Sequence, residues 1–269
     1  MVKLLSIGGS DASGGAGIEA DLKTFQEYGA FGVATLTAIV TMDPSRNWSH
    51  RVHSLEEDCV RDQLETAFAG VGVSAVKSGM LASVHAIECV AEYLERFAVA
   101  AYVFDPVMVC KGSGDALHRE LNELMIQKLL PRATVVTPNL FETAQIADIS
   151  VPRTVDEMKE GARLIHERGA SHVFVKGGGR LPGCKHALDV FYDGKTFHLV
   201  EDELVQSGWN HGAGCTVSAA ITAGLGRGLT AYDAILSAKR FVTTGLRHGF
   251  QVNQWVGTGN LSKWRDRFH

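Results

Sequence analysis

The stretch Asn210-His211-Gly212-Ala213-Gly214-Cys215-Thr216 gathers the residue types that phosphate chemistry asks for. It leads directly into Val217-Ser218-Ala219-Ala220-Ile221, which reads as the first turns of an apolar helix. Small residues opening a helix leave backbone N–H groups, here those of Gly212, Ala213 and Gly214, free to face an anion. The helix dipole adds roughly half a positive charge at the same place. Cys215 stands in that field, where a thiol is expected to ionise more easily and to serve as base or nucleophile. A glycine-rich turn with a buried structural cysteine would be spelled with the same letters. The rest of the chain supplies matching parts, and they decide for chemistry.

Lys176 ends the apolar run Val173-Phe174-Val175 and is followed by three glycines. A lysine at a strand end between glycines suits a point charge on a transferring phosphate better than it suits solubility. Asp105 follows Tyr102-Val103-Phe104, and Asn139 and Glu142 follow Thr137-Pro138. Each alone reads equally as a helix cap or a solvated acid. Together they place two carboxylates and an amide near strand ends, which fits Mg²⁺ held through water and substrate phosphates. Near the start, Gly8-Gly9-Ser10-Asp11-Ala12-Ser13-Gly14-Gly15-Ala16-Gly17 reads as a polar, flexible loop able to close on a small molecule. There is no G-x-x-x-x-G-K-[ST], so no P-loop. Gly15 to Ala20 matches G-x-G-x-x-A, but seven residues separate it from the end of the first strand, where that fingerprint needs a tight turn.

The elements that must hold these residues alternate along the chain. Strands are predicted over 3–8, 32–40, 73–78, 101–106, 133–137 and 171–176. Ser54-Leu55-Glu56-Glu57 and Thr154-Val155-Asp156-Glu157 read as capping boxes that open helices. Apolar residues then recur at helical spacing, Val60, Leu64 and Phe68 behind the first box and Val155, Met158, Ala162 and Ile165 behind the second. Asp193-Gly194 between alternating apolar residues over 189–198 predicts an antiparallel hairpin with a type I′ turn. Helices are expected near 213–227 and 231–247, followed by a Gly- and Asn-rich tail. Strand–helix alternation predicts an α/β fold, a mostly parallel sheet flanked by helices on both faces with one short hairpin. Ligands should then bind beyond the carboxyl ends of the strands. With no repeat, linker or low-complexity tract, 1–269 reads as a single domain.

Composition narrows the class. A net charge of −4 over 269 residues gives no basic footprint for nucleic acid or an anionic membrane. The five cysteines, 59, 89, 110, 184 and 215, are widely spaced without a C-x-x-C pair. That argues against a disulfide framework or a thiolate zinc site, and for reduced thiols. No apolar run reaches the ~20 residues of a membrane span, and the N-terminus resembles a first strand more than a signal peptide. A cytoplasmic protein is expected, with a small-molecule substrate and a homodimeric assembly.

In order, Gly8-Gly9-Ser10-Asp11, Gly14-Gly15-Ala16-Gly17, Ala20-Asp21-Leu22-Lys23-Thr24-Phe25, Thr137-Pro138-Asn139-Leu140-Phe141-Glu142, Val175-Lys176-Gly177-Gly178 and His211-Gly212-Ala213-Gly214-Cys215-Thr216 resemble the hydroxymethylpyrimidine kinases. These are vitamin kinases of the ribokinase-like superfamily, and the resemblance spans residues 4–250. It implies ATP and Mg²⁺ as cofactors, with Asn139 and Lys176 on the ATP phosphates and Asp105 and Glu142 organising the metal. It also implies an anion hole at Gly212, Ala213 and Gly214 with Thr216 beside it, and Lys239 near the nucleotide. Substrate contacts are expected from Ser10, Asp11, Gly17, Met42, His50, Met80 and Cys110.

Pyrimidine-phosphorylating members usually carry Gln where this chain has Met42, which cannot replace an amide's donor and acceptor. Trp48-Ser49-His50 and Val107-Met108-Val109-Cys110-Lys111-Gly112 resemble the branch that phosphorylates pyridoxal in vitamin B6 salvage. The resemblance therefore implies a pyridoxal kinase, with hydroxymethylpyrimidine kinase as the second reading. Cys215 would accept the proton of the substrate 5′-hydroxyl or orient it. Cys110 reads equally as a core thiol or as one that adds reversibly to the pyridoxal aldehyde. A dinucleotide-dependent oxidoreductase using the 15–20 glycines, or a B6 carrier without turnover, would leave Lys176 and 212–215 unexplained.

Overall fold

The computed structural model describes residues 1–108, 115–206 and 208–268. Among these residues nine strands form one sheet: β1 (Lys3–Asp11), β2 (Phe31–Asp43), β3 (Ser49–Ser54), β4 (Ala75–Ser78), β5 (Ala101–Phe104), β6 (Val135–Val136), β7 (His172–Gly178), β8 (His186–Tyr192) and β9 (Phe197–Glu203). Their spatial order is β3-β2-β1-β4-β5-β6-β7-β8-β9. The run from β2 through β7 is parallel, and β3, β8 and β9 pair antiparallel at the two edges. A mostly parallel sheet with a hairpin is the architecture expected.

Among the described residues eight α-helices cover the faces: α1 (Gly17–Glu27), α2 (Glu57–Glu65), α3 (Val84–Arg96), α4 (Asp115–Lys128), α5 (Leu140–Ala147), α6 (Val155–Glu167), α7 (Ala213–Gly226) and α8 (Ala231–Arg247). Strand alternation sends neighbouring side chains to opposite faces. Leu4, Ala75 and Val103 pack with Phe25 of α1, the alanines of α7, and Ile235 and Phe241 of α8. Leu5, Val76 and Phe104 pack with Leu64, Val90, Leu121, Ile146 and Ile165 on the other side. Burying a side chain such as Phe241 completely is worth roughly 2–3 kcal/mol. Ala219, Ala220 and Ala223 present almost no side chain, so α7 lies close over the centre of the sheet and its N-terminus reaches the strand ends.

Several expectations are corrected. β1 runs on to Asp11, because the long β2 offers Ser10 and Asp11 partners at Ile39 and Val40, so only 12–16 form the loop. β2 reaches Asp43 because it pairs with β3, a strand absent from the prediction. Its sequence, Ser-His-Arg-Val-His-Ser, has no apolar face and lies at the edge of the sheet. Ser54 ends β3, and the next N–H, of Leu55, donates to Thr37 O. The capping box expected there does not form, and α2 starts at Glu57 without a side-chain cap. The box at Thr154 does form, with Glu157 reaching back, an arrangement worth about 1 kcal/mol.

The β8–β9 hairpin is present, but its turn is not type I′. Asp193 Oδ1 accepts the N–H groups of Lys195 and Thr196, which fixes Asp193 at the first turn position, and Gly194 alone takes positive φ (88°). The tail is more ordered than a Gly/Asn-rich stretch suggests. It forms two short strands, β10 (Phe250–Gln251) and β11 (Gly257–Thr258), and a 3₁₀ helix over Leu261–Phe268. Among the described residues no helix is long and apolar enough to cross a membrane.

Candidate active site

Lys176, at the end of β7, anchors one side of the site. Its N–H donates to Pro138 O at 2.7 Å, which ties β7 to the segment opening α5. Its Nζ donates to Asp105 Oδ1 at 2.8 Å, just beyond β5. Asp105 is buried and also accepts from Thr137 Oγ1 at 3.2 Å and from Ser218 Oγ at 3.0 Å. Burial works against both charges, but Lys176 and Lys77 hold the Asp105 carboxyl below its ordinary range, and Asp105 and Glu142 hold Lys176 above its own.

Asn139 and Glu142 form a capping box at the start of α5. Asn139 Oδ1 accepts from the N–H groups of Phe141 and Glu142, and Glu142 Oε2 accepts from Asn139 N at 2.8 Å. The capping reading and the ligand reading of these residues coexist: with Oδ1 committed, Asn139 keeps its amide donors for an anion. Glu142 is buried, and desolvation pushes its carboxyl up to about 7 even though Lys176 lies near. A buried acid that needs more positive charge is a fitting partner for a divalent cation. Among the described residues no group of three His, Cys, Asp or Glu side chains gathers as a metal cage. Asp105 and Glu142 would therefore hold Mg²⁺ as a pair, with phosphates and water completing the shell, as that ion prefers.

The helix N-terminus faces Lys176. Gly212 caps α7 with φ 78°, a conformation suited to glycine. The Ala213 N–H, expected to be free, donates to Asn210 O at 3.1 Å. The anion hole is corrected at Ala213 alone, and the N–H groups of Gly214 and Cys215 in the first turn have no acceptor within the helix. Gly214 is exposed, and a Cβ placed on it would lie 3.7 Å from Lys176 Nζ. Thr216 is buried, and its hydroxyl donates to Gly212 O at 2.9 Å.

Cys215 lies between two helix starts, because the N–H of Gly17, the first residue of α1, donates to its sulfur. The expectation of an easily ionised thiol is overturned. Burial dominates and pushes the thiol up to about 11, with Lys77 opposing and Asp21 and Asp105 reinforcing the rise. The dipoles of two helices are outweighed by lost solvation and two carboxylates.

The first loop is tied to this centre. Asp11 accepts from Ser13 N, Ala16 N and His211 Nε2, the last at 2.7 Å. Burial opposes ionisation, but the His211 and Ser13 hydrogen bonds hold Asp11 at about 2. His211 stands in the motif singled out from sequence, yet its role as a bridge 200 residues across the chain was not visible there. Ser10 Oγ donates to Glu19 Oε1, whose partner oxygen accepts the Asp11 N–H. Gly17 (φ 57°) packs on Gly9 O, so no side chain fits there. Lys239 pairs with Asp189 at 2.6 Å, and Asp189 accepts the Gly178 N–H, which steadies the glycines after Lys176.

Met42 and His50 sit directly opposite one another in the β2–β3 pair. Val40, on the same face as Met42, and the end of Met80 both border Gly9. Trp48, in the turn of this arm, stacks on Trp255 of the tail at 5.1 Å. Cys110 and Lys111 lie outside the described residues.

Known proteins resemble the chain over nearly its whole length. The model of the family described as phosphomethylpyrimidine kinase matches residues 11–260. The chain is 47% identical to the pyridoxine kinase of Bacillus subtilis (strain 168), over 98% of this chain and 97% of that protein. The crystal structure of an ADP complex of Bacillus subtilis pyridoxal kinase superposes with a TM-score of 0.95 at 46% identity, covering 98% of this chain and 99% of that one. The pyridoxal kinase from Staphylococcus aureus in complex with AMP-PCP and pyridoxal gives 0.92 at 43% identity, covering 98% and 95%.

Proposed function

The chain belongs to the phosphomethylpyrimidine kinase family, and from that premise we propose that it phosphorylates the 5′-hydroxymethyl group of pyridoxal with ATP. The observation that carries this reading is the meeting of Lys176 Nζ with the open N-terminus of α7 at Gly214, beside Cys215. Lys176 and the N–H groups of Gly214 and Cys215 hold the transferring phosphoryl group, where negative charge develops. Asp105 and Glu142 would hold Mg²⁺, which would supply positive charge against the phosphates. Cys215 takes the hydroxyl proton through its thiolate form. With the thiol near 11, that form amounts to about one part in a thousand at pH 8, tenfold less for each unit below. The Asp11–His211 link fixes the first loop against α7 and so sets the distance between acceptor and phosphate.

The apolar wall of Val40, Met42 and Met80 supports pyridoxal over an aminopyrimidine, because it offers no amide to the pyrimidine edge. The same reading takes the chain as one kinase domain in the cytoplasm, supported by its single large sheet and by five widely spaced cysteines without a C-x-x-C pair. Phe31 and Ile39, exposed on β2, offer apolar surface for the second copy of a homodimer. The test is a side-by-side assay of the purified chain with ATP and Mg²⁺ against pyridoxal and hydroxymethylpyrimidine. Pyridoxal should give the higher kcat/KM, and preference for the pyrimidine would move the chain to the other branch.

A further inference from the structure

The arm that carries Met42 and His50 leaves the body of the sheet before it reaches them. β1 pairs with β2 only as far as Val40, and among the described residues Thr41, Met42 and Asp43 pair with β3 alone, through Arg51, His50 and Ser49. β3 is itself the edge strand. A two-stranded ribbon without a third strand or a packed face is only marginally stable in water. The turn that closes it is strained. Asn47 and Trp48 both take positive φ, 52° and 60°, a rare conformation for a residue as bulky as tryptophan. Among the described residues no group hydrogen-bonds the buried Trp48 Nε1. Strain and an orphaned donor at one residue are what an outside constraint on the ribbon would leave.

That constraint is the tail. Trp255 lies on Trp48 with ring centroids 5.1 Å apart and planes at 17°. Its backbone is held in place, since Asn253 Oδ1 accepts the N–H groups of Trp255 and Val256 at 2.9 and 3.0 Å. Just beyond, Gly257 O accepts the His211 N–H at 3.1 Å, and Thr258 Oγ1 donates to His211 O at 2.9 Å. Gly257 packs so closely on Trp209 that no side chain fits there. The short β10–β11 hairpin therefore grips the arm through Trp255 and the opening of α7 through its neighbours Gly257 and Thr258.

We propose that Trp255 is a positioning residue: stacked on Trp48, it fixes the β2–β3 arm relative to the start of α7, and so the acceptor ring relative to the transferring phosphoryl group. The proposal rests on the reading that the acceptor lies along Val40, Met42 and Met80. Trp255 acts through Trp48 at one end, while the ties to His211 anchor the hairpin at the other. Loss of the stack frees the acceptor wall and leaves Lys176, Asn139 and the helix start as they were. The acceptor side of the reaction should suffer and the ATP side should not.

The test compares Trp255→Ala and Trp255→Phe with wild type, using the full chain with ATP and Mg²⁺ well below the melting temperature of each variant. A misplacement of about 1 Å between reacting groups can cost about 100-fold. Trp255→Ala should therefore lower kcat/KM for pyridoxal at least ~10-fold, with the ATP KM within about 2-fold of wild type. Trp255→Phe keeps a ring on Trp48 and should recover kcat/KM to within about 3-fold. Adding Trp255→Ala to Trp48→Ala should cost no more than about a further 2-fold, because the two residues act as one unit. If Trp255→Ala does not fold, Trp255→Leu keeps the bulk without the stack and is read in the same way. An unchanged kcat/KM in the folded variant, a matching rise in the ATP KM, or an equal loss in Trp255→Phe overturns the proposal. The ratios are read with whichever acceptor the wild-type chain phosphorylates, so preference for the pyrimidine would overturn the assigned substrate and leave this test intact.

Discussion

Glu142→Gln should stabilise the protein and disable it at once. In the folded chain the carboxyl titrates near 7 rather than at its ordinary 4.5, because the site desolvates it. The folded state therefore binds this proton more tightly than the unfolded state does. That contribution is complete below about 4.5 and is lost as pH rises through about 7. A shift of about 2.5 units corresponds to about 3 kcal/mol of destabilisation at pH 8 relative to pH 4. Glutamine keeps an oxygen for the Asn139 N–H and carries no charge, so the ionisation cost disappears. Its NH₂ then needs a partner in a buried place, which returns about 1 kcal/mol. The net gain at pH 8 is about 2 kcal/mol, or roughly 4–8 °C in Tm for a chain of this size. Melting both proteins in a chelator from pH 5 to 8 checks the sign. The Tm difference should be within about 2 °C at pH 5 and should open through pH 7. Activity with Mg²⁺ should fall at least ~10-fold, because one of two metal-holding carboxylates is gone. Parallel melting curves across the range would refute the reasoning, since they would mean that Glu142 ionises in the folded chain as it does in the unfolded one.

Lys176→Ala should lower kcat at least ~10-fold by removing a cation from the developing charge; a change confined to the ATP KM would reduce Lys176 to ground-state binding. Cys215→Ala should lose most turnover with ATP affinity nearly intact, and wild-type kcat should climb with pH between 7 and 9, towards the thiol near 11. A flat wild-type profile, or near wild-type kcat in the variant, would leave the sulfur without a role as base. Met42→Gln should raise the ratio of kcat/KM for hydroxymethylpyrimidine over pyridoxal by restoring an amide to the wall beside Met80. An unchanged ratio would mean that position 42 does not face the ring.

Local physics made much of the molecule readable in advance. The cap at Thr154 and the helices beginning at 213 and 231 follow from hydroxyl, charge and period within a few residues, and they appear where expected. The strand bearing Lys176 and the one that ends just before Asp105 follow from apolar runs long enough to be buried on both faces. β3 escaped because an edge strand draws its order from the neighbour it pairs with, and its own residues carry no apolar alternation. Ser54 shows the same limit in reverse: a sound capping signal yielded to strand pairing with β2 and to the Thr37 carbonyl.

The site divides along the same line. Residue types and spacing singled out Lys176, Asp105, Glu142 and the 210–216 turn, since phosphate chemistry demands cations, carboxylates and a helix start. Tertiary structure alone decided their electrical state. The Cys215 thiol rises because α1, α7 and two distant carboxylates enclose it, where the helix start by itself would have lowered it. Asp11 ionises readily because His211 arrives from the far end of the chain, and Lys77 meets Asp21 across 56 residues. Which groups can do chemistry is a property of the side chains. Which of them carry charge depends on solvent and partners, and the sequence specifies those only by folding.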